Sequence, residues 1–158
     1  MAGILFPLIW TILRLLTGKQ RIKLIQRLRN DSTGSGRFGA SRGNRVHNGV
    51  DIESAEGEVV YAPFMMYVER YSKASSSSKT SGLRFTPRDI SDGTHGYMWY
   101  LQPYDDVIGE WVGEGEPLGV AQNMVGLDYP HLKGSMQNHI HIEQWAGSSP
   151  INIENSYV

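Results

Sequence analysis

The sequence predicts a mostly β domain of antiparallel strands with long loops, preceded by a hydrophobic and basic N-terminal helix. Three observations predict it. Beyond residue 36 the apolar residues fall in short runs bounded by turn residues: "GVDIES", "EVVYAPFMMYVERY", "GLRFTP", "GYMWYLQP", "EWVGEGEPLGVAQ" and "NHIHIEQW". The chain holds 18 glycines beside many Val, Ile, Tyr and Trp residues, the composition of strands and tight turns. No stretch of this part reads as a long amphipathic helix. A length of 158 residues with 40% hydrophobic and 20% charged residues suits one globular domain plus an appendage.

The appendage is residues 1–30. From Ile4 to Leu16 the chain is apolar except for Thr11 and Arg14, and then Ile22, Leu24, Ile25 and Leu28 alternate with cations at helical spacing. The apolar run is shorter than the roughly 20 residues of a transmembrane helix. Its charges follow rather than precede it, unlike a secretory signal. The expected element is a membrane or interfacial anchor with a basic collar, or a helix seated on a coat or envelope protein. The expected location is therefore a membrane, a cell envelope or a virion.

Residues 31–36 read as a linker, and residues 37–158 as the domain. Six of the 15 cationic residues precede the first acid, Asp31, which leaves nine against 16 acids and a net charge near −7 for the rest. So acidic a surface argues against nucleic acid as a partner. Ser72 to Gly82, "SKASSSSKTSG", is low in complexity and expected as a mobile loop between strands. There is no cysteine, so any metal site must be built from His, Asp or Glu.

"NHIHIE" offers candidates, although two histidines alone fit an ordinary surface strand. Successive strand residues face opposite ways, so His139, His141 and Glu143 share one face while Ile140 and Ile142 enter the core. "HNGVDI" supplies the rest. Asn48-Gly49 marks a turn, and a strand follows in which Val50 and Ile52 point inward, so His47 is turned back beside Asp51. Two imidazoles and one carboxylate with a fourth position open is the composition of a catalytic zinc site.

Together, H-x-x-x-D and a distant H-x-H resemble the lysostaphin-type zinc metallopeptidases. "GSGRFGASRGNRVHNGVDI", "VVYAPF", "WYLQP" and "NHIHIE" resemble most closely the leukocyte cell-derived chemotaxin 2 branch of that fold. The resemblance implies zinc held by His47, Asp51 and His141, with His139 as a catalytic histidine. It also implies a second catalytic histidine in a Tyr-x-His-Leu segment. The matching residues are Tyr100, Leu101, Gln102 and Pro103, so Gln102 stands where that histidine belongs. A glutamine amide can donate to an oxyanion but cannot accept and return a proton. The chemotaxin branch lacks this histidine too and, by resemblance, binds zinc without peptidase activity.

Further candidates surround this set. Arg42 and Tyr100 are placed to bind substrate, Glu143 to orient a ligand by a hydrogen bond, and His95 or His131 to reach over the metal from nearby loops. The leading expectation is a zinc metalloendopeptidase that cleaves peptide cross-links of bacterial peptidoglycan, such as a phage or envelope-associated lytic protein. The alternative is a zinc-binding recognition or structural module whose turnover is impaired by Gln102.

Overall fold

The computed structural model describes residues 27–88 and 93–154. Among them the chain forms β1 (Asn30–Asp31), β2 (Gly34–Ser35), β3 (Gly49–Glu53), β4 (Val59–Tyr61), β5 (Met66–Ser72) and β6 (Gly82–Pro87). There follow β7 (Thr94–Trp99), β8 (Leu101–Pro103), β9 (Trp111–Val112), β10 (Pro117–Ala121), a one-turn helix α1 (Met124–Leu127), β11 (His139–Ala146) and β12 (Ser149–Ile151). The antiparallel β class expected from the sequence is the class observed. No described helix is long and apolar enough to cross a membrane.

The main sheet runs β12-β11-β7-β6-β5-β9, and β3 pairs with the first half of β11 on the edge that β12 takes further along. A smaller sheet runs β4-β10-β8. The alternation in "NHIHIE" sorts as its period demands. Ile140 and Ile142 join Val50, Ile52, Met66, Val68, Leu83, Phe85 and Met98 in one core cluster. Burying each such side chain is worth about 1.5–3 kcal/mol. The other face of β11 keeps His139, His141 and Glu143.

"GYMWYLQP" reads as one strand but makes two. Tyr100, between β7 and β8, has φ 71°, a backbone that side-chain-bearing residues rarely adopt, and the chain continues as β8 in the smaller sheet. Two hydrogen bonds hold the corner: the Tyr100 N–H donates to the Ser81 carbonyl (2.9 Å) and the Gln122 N–H to the Tyr100 carbonyl (2.8 Å). The serine-rich loop between β5 and β6 is anchored in its second half. There Asp128 accepts from the Lys79 N–H (2.7 Å) and the Thr80 hydroxyl (2.5 Å).

Most of the expected N-terminal anchor, residues 1–26, lies outside the described residues. Its last four residues are described and are not helical. Leu28 bridges to Ile52, the Glu53 N–H donates to the Arg27 carbonyl (2.7 Å), and Arg27 pairs with Glu58. Residues 31–36, expected as a linker, carry the β1–β2 hairpin. Arg27 to Arg29 and Gly36 therefore bond to β3, and the hairpin between them meets Ser135 and Gln137, so the stretch is an arm of the domain.

Candidate metal centre

Strand pairing assembles the centre from three directions. β3 and β11 run antiparallel with Asp51 opposite His141, and β7 lies across β11 with Trp99 opposite His141. The close β3–β11 approach needs Gly49. A Cβ there would overlap the Ile142 carbonyl oxygen and come within 2.9 Å of the His141 ring. His47 arrives from the preceding loop, where its N–H donates to the Ala40 carbonyl (2.9 Å) and its carbonyl accepts from Gly39 (2.8 Å).

Neighbouring acceptors assign the imidazole tautomers. A carbonyl only accepts, so His47 Nδ1 carries the proton that meets the Arg37 carbonyl at 2.9 Å, and Nε2 is left bare. His141 lies between two carboxylates, with Nε2 3.2 Å from Glu143 and Nδ1 2.9 Å from Asp51, and with its proton on the Glu143 side Nδ1 is bare. These two lone pairs lie 3.1 Å apart and point at the same Asp51 oxygen, Oδ1, at 3.0 Å from His47 and 2.9 Å from His141. Three buried acceptors facing one another repel unless a proton or a cation lies among them.

The donor set fits a metal. Ligand atoms 2.0–2.1 Å from a tetrahedral zinc lie about 3.3 Å from one another, close to the spacings found. Among the described residues, His47, Asp51 and His141 form the group able to hold an ion. Each ligand is held from behind: His47 by Arg37, His141 by Glu143, and Asp51 by two guanidiniums on its second oxygen. Arg29 Nε lies 3.2 Å from Asp51 Oδ2 and Arg42 Nη2 lies 3.1 Å from the same atom. Such outer partners fix ligand orientation and tune affinity.

Without a cation, protons on the imidazoles take its place. Burial raises the pKa of the Asp51 carboxyl, but hydrogen bonds from His141 and His47 and the nearby His139 outweigh it and hold the group well below the usual carboxylate range. Burial disfavours a charged His141, and the hydrogen bonds to Asp51 and Glu143 outweigh that and raise its pKa. In His139 burial wins over the attraction of Asp51 and lowers the pKa.

His139 shares the site without touching the ligand triangle closely. Its Nδ1 donates to the Gln137 carbonyl (2.8 Å), and its bare Nε2 lies 3.8 Å from Asp51 Oδ1. Tyr100 packs edge-on against the His139 ring at 5.5 Å, is buried, and shares a 3.2 Å hydrogen bond with the Tyr129 hydroxyl. Burial first and that hydrogen bond second push its phenol pKa far upward.

Gln102 is exposed on β8, where its amide donates to the Pro103 carbonyl at 3.4 Å. His95 lies across from Trp145, four pairs along β7 and β11 from His141, and packs edge-on on Tyr97 at 5.7 Å. His131 is exposed, with its ring 6.4 Å from Tyr129. Two contributors, Arg29 and Asp31, were missed from sequence, and Trp99 was legible only as a core or cleft-wall aromatic. The Trp99 ring stacks on His141 at 5.1 Å with 11° between planes. The alternation of β7 signals Trp99. Arg29 carries no local signal, because it is one cation in a run of cations.

The mostly antiparallel β architecture is that of the lysostaphin-like fold. The catalytic domain of the antimicrobial peptidase lysostaphin from Staphylococcus simulans has that fold, at TM-score 0.61 and 16% identity over 87% of this chain and 96% of its own. A zinc-containing peptidase from Vibrio cholerae is similar at TM-score 0.53 and 19% identity, over 80% of this chain and 36% of that one. In sequence, leukocyte cell-derived chemotaxin-2 of Mus musculus is 32% identical over 124 residues, spanning 76% of this chain and 74% of its own length. The chain belongs to the leukocyte cell-derived chemotaxin-2 family. No protein-family model matches it.

Proposed function

We propose that the chain is a zinc-binding recognition module on a peptidase fold, directed at peptides of bacterial peptidoglycan and lacking efficient turnover. The convergence of three bare acceptors at 2.9–3.1 Å carries the metal assignment. His47 Nε2, Asp51 Oδ1 and His141 Nδ1 would hold the ion. Bound there, zinc supplies a Lewis acid that polarises a carbonyl and acidifies water. Gln102 supports the loss of turnover, since its amide can orient a substrate oxygen but cannot carry a proton.

A zinc endopeptidase acting on peptidoglycan cross-links is the second reading, and His139 favours it. This histidine is buried, its pKa is lowered, and its bare Nε2 faces the ligand cluster, so it can accept a proton at that atom. Under both readings the apolar, basic sequence of residues 1–26 supports a place at a membrane, envelope or virion surface, held by lipid or by a coat or envelope protein.

One assay separates the readings. The full chain, loaded with zinc, is sedimented with purified peptidoglycan while soluble peptide is measured. Zinc-dependent co-sedimentation without release supports the recognition module. Release that a chelator and His47→Gln both abolish establishes the peptidase instead. A chain that takes up no zinc at neutral pH overturns both.

A further inference from the structure

We infer that Arg29 and Arg42 are positioning residues of the metal centre, a paired clamp that keeps Asp51 a one-oxygen ligand. This rests on the zinc reading above and adds residues to it. The carboxylate of Asp51 is divided. Oδ1 faces His47 and His141, while Oδ2 accepts from Arg29 Nε at 3.2 Å and Arg42 Nη2 at 3.1 Å. With two guanidiniums on it, Oδ2 is held away from the ligand triangle and Oδ1 is turned into it. A carboxylate free to rotate would offer both oxygens to the ion.

The clamp is itself built in. Arg29 is 2% exposed, and its Nη1 reaches Asp31 (3.0 and 3.2 Å) and the Thr33 hydroxyl (2.8 Å). Asp31 is locked in turn by the Gln137 N–H (2.9 Å) and the Thr33 N–H (2.8 Å). Arg42 ties its other nitrogen, Nη1, to the Ser41 carbonyl at 3.3 Å. Both guanidiniums pass over Gly34, whose φ of +139° and missing side chain leave room: a Cβ there would sit 3.2 Å from Arg42 and 3.9 Å from Arg29.

Backbone bonds align the same parts. The Arg29 N–H donates to the Asp51 carbonyl (2.9 Å), the Asp51 N–H to the Gly36 carbonyl (2.8 Å), and the Gly36 N–H to the Arg29 carbonyl (2.7 Å). The arm therefore fixes both the main chain and the side chain of one ligand. A lone structural ion pair would need neither the second guanidinium nor a carboxylate split between two tasks.

Cobalt(II), a spectroscopic stand-in for zinc, tests this on the full chain, with affinity read by chelator competition and coordination by visible absorption. Arg42→Ala is the first variant, because its side chain is partly exposed (18%) and its removal leaves no large void. Arg29→Lys is the second. It keeps the charge, but one ammonium cannot serve both Asp51 and Asp31. Each is expected to weaken cobalt binding about 10–100-fold, with weaker visible bands as Asp51 swings to two-oxygen binding. Arg42→Lys, which can still reach Oδ2, is expected to restore most of both. Unchanged affinity and spectrum in Arg42→Ala and Arg29→Lys overturn the clamp alone. No cobalt uptake by the unmodified chain overturns the metal reading and the clamp with it.

Discussion

Asp51 shows at the scale of one residue why this centre is easily misjudged by mutation. Asp51→Ala looks like the natural metal-free control, but it also takes one of two carboxylates from Arg29, a guanidinium 2% exposed, and leaves it Asp31 alone. A buried hydrogen bond to a charged group is worth about 1.5–3 kcal/mol, so this variant should melt below the parent even without metal. His47→Gln should instead lose zinc with little loss of metal-free stability, since its amide can still donate to the Arg37 carbonyl. Thermal melts of both in chelator check the contrast, and equal melting points would refute it. Gln102→His is the complementary gain. If Gln102 is what disables turnover, supplying an acid/base group there should raise zinc-dependent peptide release by about 10²–10⁴, and an unchanged rate locates the defect elsewhere. Strand alternation is local, so it put His139, His141 and Glu143 on one face in the sequence, whereas the choice of His141 over His139 came only with the family resemblance. Arg29 was not readable, because its partner Asp51 is 22 positions away and only the fold joins them.

Elements, not residues, decide how tightly the ligands meet. β3 and β11 approach so closely at Gly49 that a methyl group overlaps the Ile142 carbonyl and crowds His141. Gly49→Ala must push the strands apart. The expected loss is about 1–3 kcal/mol together with weaker metal binding, seen as a lower melting temperature and faster loss of zinc to a chelator. A melting curve and zinc affinity like the parent's would show that the pair can separate freely. Most strands were legible as period-2 runs between turns. The corner at Tyr100 was not: tyrosine carries no signal for φ 71°, and hydrogen bonds from Tyr100 to Ser81 and to it from Gln122 impose the bend. A strained backbone of this kind costs about 1–3 kcal/mol, and here it sets a buried ring edge-on against His139.

For the molecule as a whole, acid stability follows from carboxylates held below their usual range. Asp51 is lowered by its histidines against burial, and Asp31 by Gln137 and Thr33 against burial. Glu58 is lowered first by its pairing with Arg27. A folded pKa below the unfolded one gives stability that is full above the unfolded value, near 4, and is lost as pH falls through the folded value. His139 and His141 shift in opposite directions, so their effects near pH 6.5 oppose each other. The metal-free protein should thus lose stability mainly below about pH 4, which denaturant titrations at several pH values would check. Zinc should stabilise near neutral pH, by about 2.7 kcal/mol at a hundredfold excess over its Kd, and this gain should vanish as the histidines take up protons. A zinc-induced rise in melting temperature that persists unchanged at pH 5 contradicts histidine ligation. The fold class was plain in the sequence, but the N-terminal edge of the domain was not, because Arg27 to Asn30 continue a basic run whose partners are all distant. That edge has a mechanical meaning. Tension entering at residue 27 loads the Arg27–Glu53 and Arg27–Glu58 contacts first, the Arg29–Asp51 contacts next and the Gly36–Asp51 bond last. Bonds stressed in series fail one by one at low force, so a pull on this end would peel the arm and loosen a metal ligand while the main sheet still holds.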